Sequence, residues 1–179
     1  MKNLLLAGML TLGLMSCKKQ IDELPEPTTT GANTFGAKIN GELWGPMKFG
    51  VAMTAPILEA NFSGGNDFRI NARNFGSSPT ESEMEIFLRD VTGPGVYMLN
   101  KNTGKLPGAS ASYAYFVERR FHPKNEWITN TEYAGRVTIT RIDIQEKVIA
   151  GTFEFRAINL YNEPSPIEVT EGRFDIKIQ

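Results

Sequence analysis

The sequence predicts an all-β fold, a single antiparallel β-sandwich of about nine or ten strands. Three observations predict it. From Phe35 onward, short runs alternate apolar and polar residues with period two; clusters of Gly, Pro, Asn and Ser separate them; and no window of helix length keeps an apolar stripe at three-to-four spacing. A β-barrel is the alternative. The shortness of the runs and the lack of a regular up-and-down ladder favour the sandwich.

Phe35 to Ile39 and Leu43 to Lys48 flank Asn40-Gly41, whose two residues tolerate positive φ and so suit a type I′ hairpin. Ile57 to Ser63 and Phe68 to Phe75 flank Gly64-Gly65-Asn66-Asp67, a second hairpin signal. In Phe68 to Phe75 the even positions Phe68, Ile70 and Ala72 are apolar; in Glu81 to Asp90 Met84, Ile86 and Leu88 are. With Gly76 to Thr80 as the loop, antiparallel pairing sets Arg73 opposite Glu83 and Asn71 opposite Glu85. Opposite charges then meet on the solvent face, which accounts for the run Glu81, Glu83, Glu85 without a cation site or paired catalytic acids. Further strands are expected at Val96 to Asn100, Ser112 to Arg120, Tyr133 to Ile144, Val148 to Asn159 and Ile167 to Ile178. The inward face of the last changes parity near Glu171-Gly172, as a glycine bulge or tight turn would make it.

Ahead of the strands, Met1-Lys2-Asn3 forms a short positive region and Leu4 to Leu14 an apolar run too short to span a bilayer, which takes about 20 apolar residues. The run ends in Leu14-Met15-Ser16-Cys17. Here the chain resembles bacterial lipoprotein precursors, since Leu14, Ser16 and Cys17 match the lipobox. The resemblance implies a signal peptide over residues 1–16, cleavage before Cys17, and a diacylglycerol on its sulfur. Acyl chains bury about 0.8 kcal/mol per CH₂, and two or three of them hold a protein on a membrane. Residues 17–33, acidic and rich in Pro and Thr, are expected to form a flexible tether reaching roughly 50 Å, with the β domain at 34–179. Lys18 is not the Asp that the resemblance associates with inner-membrane retention, so outer-membrane placement is expected, facing the periplasm or the surface.

A second resemblance rests on three blocks: Gly31 to Trp44 (GANTFGAKINGELW), Ile149 to Phe155 (IAGTFEF) and Val169 to Asp175 (VTEGRFD). In this order behind a lipobox, they are similar to the recurring blocks of a family of uncharacterised Bacteroidetes-type envelope lipoproteins. That implies an envelope lipoprotein with an all-β domain and no assigned activity.

The chain has 179 residues, with 19 Lys+Arg against 20 Asp+Glu, one His and one Cys. A net charge of −1 leaves no basic footprint for nucleic acid. A single Cys allows no internal disulfide, and zinc or copper sites built on several His or Cys are ruled out by count. His122 falls in an expected loop, with no Gly-x-Ser-x-Gly to supply a nucleophile beside it. Gly64 to Asp67 lacks the spacing of a calcium loop and reads more simply as a turn. No phosphate-cradling loop or dinucleotide fingerprint occurs, so no cofactor is expected.

Aromatic residues carry the remaining signal. Trp127 lies in a polar stretch where an exposed indole would stack on a sugar face, and Tyr113 and Tyr115 share one face of a strand. The bland reading buries all three, with hydroxyls at the rim. The function expected is non-catalytic binding of a glycan, peptide or protein partner by a lipid-anchored envelope protein, with Trp127, Tyr113 and Tyr115 as ligand-binding residues. Two alternatives stand beside it: a small glycoside hydrolase using paired carboxylates, and a structural or assembly subunit.

Overall fold

The computed structural model describes residues 21–48, 55–77, 80–119, 125–161 and 165–179. The segment expected to be a signal peptide, Cys17 and His122 lie outside the described residues. Eleven strands follow in chain order: β1 (Thr34–Ile39), β2 (Glu42–Trp44), β3 (Leu58–Phe62), β4 (Phe68–Ser77), β5 (Thr80–Leu88), β6 (Gly95–Leu99), β7 (Tyr113–Arg119), β8 (Glu126–Ile128), β9 (Gly135–Asp143), β10 (Val148–Asn159) and β11 (Ile167–Lys177). No helix occurs among the described residues, and hence none long and apolar enough to cross a membrane.

All strand pairs are antiparallel and join into one sheet that does not close into a barrel. It doubles over as a sandwich. One half runs β2-β1-β11-β10-β9-β6, the other β3-β4-β5-β7-β8, and the end of β10 joins them where Ile158 pairs with Ile128 and Asn159 with Trp127. Alternation dictates the packing: along β10 Phe153, Phe155 and Ala157 are buried while Thr152, Glu154 and Arg156 are exposed. Aromatic rings bridge the halves, with Trp44 edge-on to Phe35 at 6.0 Å and to Phe116 at 5.8 Å. The buried Trp44 indole donates to Ser82 Oγ at 2.9 Å.

The turns obey the local chemistry. Asn40 and Gly41 take φ of 51° and 86°, as a type I′ turn requires. Gly64 and Gly65, at 123° and 55°, close the β3–β4 hairpin, where Ser63 N–H donates to Asp67 C=O at 2.9 Å. Arg73 stands opposite Glu83 and Asn71 opposite Glu85. The parity change in β11 is a bulge that shifts register against both β1 and β10. Glu171, rather than the glycine, takes the positive φ of 52°. Gly172 is needed for space instead, because a Cβ there would lie 2.5 Å from the Phe153 ring and carbonyl.

Two expectations are corrected. One strand, β8, was not among those expected and falls in the polar stretch around Trp127. Residues 21–33, expected to be free tether, instead form a strap across the outer face of the first half-sheet. Ile21 and Pro25 rest on Gly36 and Gly45, where Cβ atoms would come within 2.6–2.9 Å of them. Arg173 and Arg141 donate to the carbonyls of Pro25 and Thr29 at 3.3 and 2.7 Å. At the centre, Asp175 of β11, 1% exposed, accepts from the Thr28 hydroxyl at 2.6 Å and from the backbone N–H groups of Thr30, Gly31 and Ala32 at 2.8, 2.7 and 3.2 Å. Composition concealed this, since polar Thr and Pro residues have no periodicity to betray a segment held by hydrogen bonds.

Candidate functional site

The outward faces of the two half-sheets differ in character. On the second half, alternation brings charged residues of β3, β4, β5 and β7 into one ladder. Arg73 pairs with Glu59 at 2.9 Å and lies 3.8 Å from Glu83. Arg119 meets Glu81 at 2.7 Å and Glu83 at 2.6 Å, and Arg69 lies 3.9 Å from Glu85. Burial pushes the Glu83 carboxyl up, but hydrogen bonds from Asn71 and Arg119 and the charges of Arg119 and Arg73 hold it below the usual carboxylate range. The glutamate run is thus neutralised from both sides, by Arg73 of one neighbouring strand and Arg119 of the other.

The three aromatic residues expected to bind ligand do not come together. Phe116 and Trp127 are register partners and both point into the main core, where their rings lie 5.9 Å apart. Trp127 is 8% exposed, and its indole N–H donates to Ser165 C=O at 2.7 Å. Tyr113 and Tyr115, one residue out of phase, face the opposite side of the sheet. There they form a small second core with Phe87, Val117 and Ile128, roofed by Leu106 and Ala109 of the β6–β7 loop. The Tyr113 hydroxyl donates to Glu85 and accepts from Leu106 N–H at 2.9 Å; the Tyr115 hydroxyl donates to Glu126. Lys105 reaches Glu126 at 3.0 Å, and the Tyr161 hydroxyl donates to it at 2.9 Å. Burial pushes the Glu126 carboxyl up, but these donors hold it below its ordinary range. Burial, then the facing carboxylates, push both tyrosines well above theirs. These rings are fastened, leaving no open stacking platform.

A concave surface does occur on the outer face of the first half-sheet. Register places Val96, Thr138, Thr152, Arg173 and Gly36 in one row across β6, β9, β10, β11 and β1. Thr138 and Thr152 are short, so the floor lies low between the strap on one side and β6 on the other. The resulting groove, about 450 Å³, has Pro27 and Val96 as its banks. The Arg136–Glu154 ion pair, at 2.7 Å, separates it from a second hollow of about 400 Å³ flanked by Met98, Arg156 and Glu168. β6 pairs only with β9 among the named strands, which leaves its other side as a sheet edge. Val96 and Met98 project from it, 60% and 51% exposed. Sheet edges are ordinarily guarded by charge, Pro or a covering loop. Alternation with the buried Val137, Ile139 and Phe153 sets Thr138 and Thr152 on the outside; the groove depends on the strap, which no sequence signal revealed.

This surface offers hydroxyls, paired charges, two apolar side chains and a strand edge carrying backbone donors and acceptors. Among the described residues, no group of three or more His, Cys, Asp or Glu is placed to hold a metal ion.

A protein-family model described as a domain of unknown function (DUF6252) matches residues 32–175. No curated protein and no solved structure matches the chain.

Proposed function

The chain belongs to the DUF6252 family, and we propose that it is a lipid-anchored cell-envelope protein of the Bacteroidetes type that binds an extended peptide segment of a partner protein without chemical turnover. The observation that carries the binding reading is the β6 edge, where two exposed apolar side chains stand beside a groove with a hydroxyl-rich floor. A peptide adding itself as a strand to an open edge gains affinity from main-chain hydrogen bonds and specificity from alternate side chains. Here Val96 and Met98 would meet those alternate side chains, and the groove would take what projects past them.

The anchor reading rests on Leu14-Met15-Ser16-Cys17. It makes Cys17 the lipidated residue, and Lys18 favours the outer membrane. A glycoside hydrolase is less well supported, because such enzymes hold one carboxylic acid protonated near neutral pH. Glu83 and Glu126 are shifted the opposite way.

The test has two arms. Mass spectrometry of the mature amino terminus, with fractionation and protease shaving of wild type and Cys17→Ala cells, is expected to show acylated Cys17 and loss of membrane association in the variant. Soluble wild type would end the anchor reading. Photo-crosslinkers at Val96 and Met98 in intact cells are expected to give discrete adducts that Met98→Lys reduces when a neighbouring position carries the probe. Adducts only from the outer face of the second half-sheet would refute the edge reading.

A further inference from the structure

Where the strap ends determines which way the domain can face. Its described part begins at Ile21, whose side chain packs where Gly45 would carry a Cβ, directly after β2. Only residues 18–20 separate Ile21 from Cys17. Four residue steps span at most about 14 Å, against roughly 50 Å for a free tether running to residue 33. A domain held on the longer tether tumbles with no preferred face. One held on the shorter link keeps the surface around Ile21 beside whatever receives the acyl chains.

The strap is fastened along its length, so strand order converts this short link into an orientation. From β2 to β6 the half-sheet takes five inter-strand steps, roughly 24 Å at about 4.8 Å each. Ile21 is at the β2 end and Met98 at the other.

We propose that the β2 edge, with Ile21 after it and Lys48 lining the same hollow as Ile21, is the surface on which this protein rests against the lipid headgroups, and that the grip of Asp175 on the strap keeps it there. The inference rests on lipidation of Cys17 as proposed above. It adds that the β6 edge and its groove are presented away from the bilayer, where a partner reaches them. Asp175 is then a positioning residue for the whole domain, and Gly36 and Gly45 are the seat that lets the strap lie flat.

The experiment uses the full lipidated chain in phosphatidylethanolamine vesicles carrying a headgroup-attached acceptor dye. Cys17 is the sole cysteine and its sulfur is blocked by the lipid, so Lys48→Cys and Met98→Cys each take a single donor dye. Energy transfer is expected to be stronger from position 48 than from position 98. A flexible ten-residue Gly-Ser insertion between Gln20 and Ile21, which leaves the fold untouched, should abolish most of that difference; so should Asp175→Asn in a chain that keeps its sheet circular dichroism. Equal transfer from both positions on a chain shown by mass spectrometry to be acylated overturns the orientation alone. A difference that survives the insertion overturns it too, since the short link would not be its cause. An unmodified Cys17 overturns the anchor reading and this inference with it.

Discussion

Asp175 Oδ1 accepts the backbone N–H of Gly31 at 2.7 Å across 144 residues of sequence. The contact joins the entry of the folded chain to its last strand, and four further donors converge on the same carboxylate. Hydrogen bonds to a charged group contribute about 1.5–3 kcal/mol each, less where the freed donors can turn to water. Asp175→Ala should therefore cost about 2–3 kcal/mol in urea unfolding. It should also open residues 21–33 to proteolysis before the sandwich is cut.

The same carboxylate sets an acid limit. Burial raises its pKa, but the Thr28 hydroxyl and the N–H groups of Gly31, Ala32 and Thr30 outweigh this and hold it below the ordinary 3.8. An aspartate depressed in the folded state stabilises above its unfolded pKa and loses that contribution as pH falls through the folded one. Stability carried by the strap should thus be level from neutrality down to pH 5 and decline below about 4. Urea midpoints measured across that range should fall less steeply for Asp175→Asn than for wild type.

Trp127 gives the clearest contrast between a ligand platform and a core residue. Its ring packs on Phe116 and its N–H is bonded to Ser165 C=O. Truncation of a buried aromatic costs about 3–5 kcal/mol, so Trp127→Ala should unfold at much lower denaturant, and Trp127→Phe should fall between. Trp44 is buried as well, at 4% exposed. Emission of the native protein should be blue-shifted and resist acrylamide quenching. A red-shifted, readily quenched spectrum would contradict this burial.

Two glycines separate strap from sheet. At Gly36 a Cβ would lie 2.6 Å from Pro25 Cδ and 3.2 Å from Ile21 Cδ1, side-chain atoms of a segment that can lift. At Gly151 it would lie 2.2 Å from Thr138 C=O, backbone of a paired strand. Gly36→Ala should speed proteolysis within residues 21–33 and barely move the thermal midpoint. Gly151→Ala forces β9 from β10 and should cost at least the roughly 1–3 kcal/mol typical of overpacking, seen as a lowered midpoint. Equal effects of the two on global stability would contradict a separable strap.

Legibility in the sequence followed the range of the interactions. The pairing of Arg73 with Glu83 was readable because two long alternating runs and a short loop leave one register that buries both apolar faces. The kink at Glu171 was readable because a bulge must reverse parity. β8 was not, since three residues, Glu126–Ile128, are too few to display a period. Trp127 stayed open between a ligand platform and a buried ring for that reason; register with Phe116 turns the indole inward. The strap was invisible because every contact that holds it at Asp175 comes from more than 140 residues away. The groove inherits that blindness, having the strap as one bank.

Alkaline titration tests the second core directly. Tyr113 and Tyr115 face Glu85 and Glu126 under the roof of Leu106 and Ala109. Burial first, and then the neighbouring carboxylate, push each phenol well above its ordinary 10. A phenolate at either site would sit in apolar surroundings against a negative charge, so the folded protein keeps both protons where the unfolded chain releases them. The contribution is therefore fully present below the ordinary tyrosine pKa and lost as pH rises above it. In native protein these two residues should add no phenolate absorbance as pH passes 10, and their ionisation should coincide with loss of the sheet signal. Glu126→Gln removes the charge but keeps an acceptor for Tyr115. In this variant Tyr115 should ionise at lower pH than in wild type while Tyr113 is unchanged. Full ionisation of all five tyrosines in a single step near their ordinary pKa, with the sheet intact, would mean that the roof does not stay closed.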